Sequence, residues 1–88
     1  MKTILAILNS LKSEKEIEKF FNEIFTKNEL ETLQKRWHIM ELLAQGKTQR
    51  DIANSLNVSL CKVTRGAKIL KDKNSITTSL LNKGNKNE

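Results

Sequence analysis

Gln49-Arg50-Asp51-Ile52-Ala53-Asn54-Ser55-Leu56-Asn57-Val58-Ser59-Leu60-Cys61-Lys62-Val63-Thr64-Arg65 is the stretch that decides the fold. Two short helices that cross steeply make specific demands on sequence. A small residue must sit where they meet, and Ala53 supplies it. Four positions on, the turn needs a residue that accepts positive φ, and Asn57 is the commonest choice after Gly. Val58 then fills the corner. Val63 presses the second helix back onto the first, with Ile52, Leu56 and Leu60 around it. So many independent demands met in one segment predict a helix-turn-helix over 48–71.

Outward from this segment, caps and apolar stripes predict the other helices. Residues 3–11 carry Ile4, Leu5, Ile7, Leu8 and Leu11, a short amphipathic helix. Ser13 opens a second helix over 14–25, with Glu16 placed to return a bond to the Ser13 amide in a capping box. Its apolar stripe is Ile17, Phe20, Phe21, Ile24 and Phe25. Thr26 with Glu29 is another capping box and starts the longest helix, 27–45. Leu30, Leu33, Trp37, Met40, Leu43 and Ala44 form its apolar side, with Trp37 read as core. Gly46 ends it. Thr48 caps a helix over 49–56, and Ser59 one over 60–71. Asn74-Ser75 breaks the pattern before a weak last helix, 76–82 by periodicity and 75–83 with its flanks. Residues 84–88 read as a frayed tail. The fold class is all-α, in a single domain over 1–88: dimerisation helices over 1–46, the helix-turn-helix, and the C-terminal helix.

Composition agrees. The chain has 88 residues, no Pro and 3 Gly, too few turn residues for a sheet protein of this length. Its net charge of +6 is unevenly spread. Residues 1–46 carry seven basic and seven acidic side chains, whereas 47–71 carry six basic side chains against Asp51 alone. A basic stretch coinciding with a steep helix pair is the footprint of a phosphate-facing surface. The candidate DNA contacts are Gln49 and Arg50 on the first helix of the pair, and Ser59, Leu60, Cys61, Lys62, Thr64, Arg65, Lys68 and Lys71 on the second. Residues near the start of the second helix reach base edges in the major groove, while Gln49, Ser59 and the free amides of the helix starts hold phosphates.

Other chemistries find little footing. No nucleophile, base and orienting acid come together, no Gly-rich phosphate loop is present, and no metal-ligand spacing appears. Catalytic and metal sites are therefore expected to be absent. The lone Cys61 allows no intrachain disulfide and fits a reducing cytoplasm. The apolar start, Met1–Leu8, is too short for a secretory signal, and no stretch approaches membrane-spanning length. A cytoplasmic protein without membrane contact is expected. A helical interaction module that does not touch DNA is the competing class, distinguishable by its indifference to salt.

Val63-Thr64-Arg65-Gly66, preceded by Gln49-Arg50-Asp51-Ile52 and by Lys35-Arg36, resembles the tryptophan repressor family of bacteria over about residues 23–71. The resemblance implies an intertwined homodimer of six-helix chains whose two reading heads meet a palindromic operator in double-stranded DNA. It implies a repressor of tryptophan biosynthesis or transport genes, with L-tryptophan as corepressor. The ligand would lie between Arg36 and Arg65, guanidinium faces on the indole, with Gly66 leaving room against the ring. Backbone carbonyls at Glu23 and Phe25, with Thr26, would orient it. Three features depart from the family pattern. The turn from Gly46 to Gln49 is one residue shorter, Ile69 stands where a small or hydroxyl residue is usual near the ligand's amino group, and Ala53 replaces a basic DNA contact. A related regulator with another effector, or none, is the alternative the resemblance leaves open.

Overall fold

The computed structural model describes residues 1–85, which form six α-helices and no strand: α1 (Lys2–Ser10), α2 (Glu14–Ile24), α3 (Lys27–Ala44), α4 (Gln49–Leu56), α5 (Leu60–Lys71) and α6 (Ile76–Asn85). Packing gathers the chain into two compact units, Met1–Thr32 and Leu33–Glu88, which divide within α3 rather than at the Gly46 turn.

In the first unit, local chemistry sets each helix end. Leu11 and Phe25 lie in extended conformation and terminate α1 and α2, so both helices stop one residue short of the 3–11 and 14–25 expected. Ser13 caps α2 by accepting from the Glu16 amide at 3.1 Å. Glu16 reaches back to the Lys12 amide at 3.0 Å, one residue before the Ser13 amide expected. At α3 the box closes as read: the Thr26 amide donates to Glu29 at 2.8 Å, and the Glu29 amide to Thr26 Oγ1 at 3.1 Å. Phe21 packs edge-on against Phe25 at 5.3 Å between ring centroids. No residue of α1 or α2 is buried.

The second unit holds the core. Ile52 and Val63 are fully buried, with Ile39 beside them and Leu42, Leu43, Ala53, Leu56 and Val58 packed around. Ile39 lies outside the stripe read from the sequence. That stripe is corrected at three positions: Ala44 is exposed, and Leu33 and Trp37 remain 43% and 41% exposed, so Trp37 is not a core residue. The face of α3 that meets α4 and α5 is turned from the one its periodicity suggested, because the tight crossing of α5 selects Ile39, Met40 and Leu43.

Gly46, at φ +89°, ends α3 one residue before the expected boundary. Its amide bonds the Leu43 carbonyl and the Lys47 amide bonds the Leu42 carbonyl, the paired bonds of a Schellman motif. Thr48 caps α4 through the Asp51 amide at 3.1 Å. Asn57 takes the left-handed conformation (φ 55°, ψ 49°), and the Ala53 carbonyl accepts from both the Asn57 and Val58 amides. Ser59 then caps α5 through the Lys62 amide. The helices on both sides of this turn have the expected bounds.

The last helix is longer than its periodicity predicts. Ser75 is its cap, accepting from the Thr78 amide at 3.2 Å, and Asp72 orders the approach by accepting from the Asn74 amide at 2.9 Å. Leu81 is buried, and the Thr78 hydroxyl donates to the Ile69 carbonyl of α5. α6 therefore runs past residue 83 to Asn85, including two of the residues expected to fray; the rest of that tail lies outside the described residues.

Candidate functional site

Two surfaces of the second unit bear on function, and both use α5. The first is its outward face. Ser59, Leu60, Cys61, Lys62, Arg65, Lys68 and Lys71 are all exposed, as is Arg50 on α4. No acidic residue occurs in α5, and the basic Lys68 and Lys71 lie in its last turn, where they complement the helix dipole. Leu60, Cys61, Thr64, Arg65 and Lys68 line a shallow groove along this face.

Thr64 and Gln49 differ from the other candidate contacts. Both are half-buried, and the Thr64 hydroxyl donates to Gln49 Oε1 at 2.8 Å. Their polar ends are engaged with one another across the α4–α5 junction rather than turned freely to solvent. Of the candidate contacts on α5, Thr64 alone is brought against the first turn of α4 by the steep crossing.

The second surface is a solvent-open cleft of about 560 Å³, within the roughly 300–1,000 Å³ usual for small-molecule sites. Its apolar wall comes from Leu33, Trp37, Ile39 and Met40 of α3 and from Ile69 of α5. Arg36, Lys62 and Arg65 supply three cations, and Cys61, Gly66 and Thr77 complete the lining. Arg36, Arg65, Gly66 and Ile69 thus lie in the lining of one cleft. Every lining residue belongs to the second unit; Glu23, Phe25 and Thr26 belong to the first. The Thr26 hydroxyl is already occupied in the α3 capping box.

The role expected of Gly66 changes. A Cβ there would lie 3.0 Å from Met40 Sδ, 3.1 Å from Leu43 Cδ1 and 3.4 Å from Ile39 Cγ2. The space that glycine leaves open is filled by α3, so its smallness permits a close helix approach rather than clearance for a ligand ring. Trp37 and Thr77 are cleft residues the sequence reading missed. Leu33, Arg36, Trp37 and Met40 follow i, i+3, i+4, i+7 spacing and signalled a common face, but Thr77 could be found only once α6 was packed beside α5.

Among the described residues no group of His, Cys, Asp and Glu is arranged to hold a metal ion, and no helix is long and apolar enough to cross a membrane.

Six helices, a basic outward helix and a largely apolar cleft with two arginines in its lining define a small all-helical protein. Residues 1–85 match the family of the Trp repressor protein, and the chain belongs to that family. A Trp operon repressor homolog from Chlamydia trachomatis serovar D is 32% identical over 68 residues, 76% of this chain and 72% of that protein. One from Xylella fastidiosa strain M23 is 46% identical over 52 residues, 58% and 56% of the two chains. A third, from Chlamydia caviae, is 35% identical over 68 residues, 76% and 67% of the two. No solved structure matches the chain at comparable significance. The family is a regulatory, DNA-binding one rather than an enzymatic one, and is tryptophan-responsive in general. These matches make the chain a repressor-like regulator.

Proposed function

We propose that this protein is a cytoplasmic, sequence-specific transcriptional repressor that reads a palindromic operator with α4, the Asn57 turn and α5 as a helix-turn-helix, and responds to L-tryptophan. The observation that carries the reading is the pairing of a locked helix junction, Ile52 against Val63, with an α5 surface that exposes Lys62, Arg65, Lys68 and Lys71 and carries no acidic residue. A rigid junction fixes the angle at which α5 meets a groove, and the cations offset phosphate charge. In this reading Ser59, Leu60, Cys61, Lys62 and Arg65 lie nearest the bases, while Arg50, Lys68 and Lys71 meet the backbone. Gln49 and Thr64 hold α5 at its angle from the edge of the contact.

The working form is a homodimer. The Met1–Thr32 unit buries none of its α1 or α2 side chains, and Leu5 and Ile24 remain 56% and 61% exposed. So small and open a unit gains its burial by pairing with a second copy. Two-fold pairing sets two reading heads about one DNA turn apart.

The effector enters the cleft, its ring against Trp37 and the guanidinium planes of Arg36 and Arg65, its carboxylate toward those cations. Cys61, Lys62 and Arg65 belong both to the cleft and to the outward α5 surface, so an occupant acts on the reading helix directly. The regulated genes are those of tryptophan synthesis or transport. Duplexes selected from a random library by the full-length protein provide the test, read by fluorescence anisotropy with and without L-tryptophan. A palindromic consensus, bound 5–150-fold more tightly with tryptophan, is expected. Binding indifferent to tryptophan removes the effector, and no selected consensus removes the DNA reading.

A further inference from the structure

A second cleft, of about 400 Å³ and open to solvent, lies against α6 and the turn that leads into it. Lys73, Thr78, Ser79, Asn82 and Lys83 line it, all from the second unit. Its chemistry differs from that of the cleft between α3 and α5, because none of these residues is hydrophobic. Thr78 is already committed: its hydroxyl donates to the Ile69 carbonyl and its amide to Ser75 Oγ, which holds α6 against α5. The donors left for an occupant are two ammonium groups, the Ser79 hydroxyl and the Asn82 side-chain amide. All four side chains are exposed, and among the described residues neither lysine forms an ion pair. Asp72, the carboxylate next to Lys73 in the chain, does not line the cleft and accepts from the Asn74 amide.

Such a lining suits one kind of ligand. Two ammonium groups on one cleft repel each other until an anion lies between them, and a doubly charged anion balances both. Lysine, serine and asparagine donors call for several acceptor oxygens on a compact group, and without an apolar wall an organic body has nothing to rest on. A phosphate group meets these terms, with about −1.5 to −2 charges at pH 7 and three strong acceptor oxygens, and lysine binds it as a point charge. We infer that this cleft is a phosphate site, taking inorganic phosphate or the head of a small phosphomonoester between Lys73 and Lys83, with Ser79 and Asn82 as further donors. The inference goes beyond the repressor reading and does not depend on it. A backbone phosphodiester carries a single charge and leaves one lysine unbalanced, so DNA is not the expected occupant.

Proton–nitrogen NMR of the full chain, with anions added in chloride at constant ionic strength, tests the site. Inorganic phosphate should shift the Asn82 side-chain amide and the Ser79 backbone amide saturably, at roughly millimolar concentration. Methyl phosphate separates the two sources, and either result supports the site: comparable binding assigns it to a phosphomonoester, and its failure to bind assigns it to the free ion. Dimethyl phosphate, the singly charged diester, should bind about tenfold more weakly than inorganic phosphate. Lys73→Gln combined with Lys83→Gln changes two exposed positions where folding tolerates substitution, and should weaken phosphate binding about tenfold. The same charge change at the exposed Lys15 and Lys19 of α2 should leave it unaltered. No saturable shift with inorganic phosphate, equal weakening in the two double variants, or dimethyl phosphate binding as tightly as inorganic phosphate overturns the inference.

Discussion

The Thr64 hydroxyl donates to the side-chain oxygen of Gln49 at 2.8 Å, joining α5 to the first turn of α4 across fifteen residues of chain. Both side chains are half-buried, so the bond is partly shielded from competing water. Thr64→Val keeps the shape and removes the donor. The expected loss is about 1 kcal/mol of unfolding free energy, read as a lower urea midpoint with unchanged slope. A second effect should appear in DNA binding, because a looser α4–α5 angle weakens every contact α5 makes.

Asn57 is the single non-glycine residue at positive φ among the described residues. Asn57→Ala places a side chain without local hydrogen-bonding capacity in the left-handed region and should cost about 1 kcal/mol. Asn57→Gly relieves the constraint and should leave the midpoint nearly unchanged. Equal loss in both variants would instead point to a role for the Asn57 amide.

Gly66 is buried where α5 packs against Met40 of α3. Gly66→Val sets a branched side chain where even a Cβ would stand 3.0 Å from Met40 Sδ and 3.1 Å from Leu43 Cδ1. Overpacking of this kind costs about 1–3 kcal/mol, and thermal unfolding should show it. Gly66→Ala should cost less, since the gain in helix propensity of about 1 kcal/mol offsets part of the crowding.

Lys68 is exposed in the last turn of α5. If it meets a phosphate, Lys68→Ala should reduce the slope of log affinity against log salt by about one per copy of the chain, equally for all DNA sequences. Lys62→Ala, nearer the start of α5, should in addition change the preferred sequence. Competitive binding of selected and scrambled duplexes over a salt series separates the two effects.

Cys61 lies both on the outward face of α5 and in the cleft lining, and it is exposed and free. Its alkylation by iodoacetamide should slow when either duplex DNA or L-tryptophan is bound. Slowing by DNA alone would mean that the small ligand sits elsewhere.

Much of this molecule is readable in its local chemistry. Ser13, Thr26, Thr48 and Ser59 each cap the helix they precede, and Gly46 and Asn57 each end one. These signals act over three or four residues and need no partner. The α4–α5 pair was legible for a related reason: Ala53, Asn57, Val58 and Val63 all serve one junction within about ten residues. Ser75 also caps its helix, but Asp72 had to order the preceding turn before that helix could be placed.

What sequence spacing could not supply was the rotation of α3. Its apolar residues occupy most of its circumference, so periodicity offered several faces of similar merit. The i, i+3, i+4 pattern puts Trp37 and Leu33 on the apolar side and omits Ile39, which is buried. Gly66 packs against Ile39, Met40 and Leu43, so that face of α3 meets α5, and Leu33, Arg36 and Trp37 continue the cleft wall beside Ile39 and Met40. Thr77 joins them for a similar reason, through α6 held to Ile69 by Thr78. Helix identity and turn geometry were thus determined by the sequence itself, because caps and left-handed turns depend on neighbours in the chain. The cleft was decided only by tertiary packing, because its residues come from three helices whose mutual rotation depends on which side chains can approach most closely.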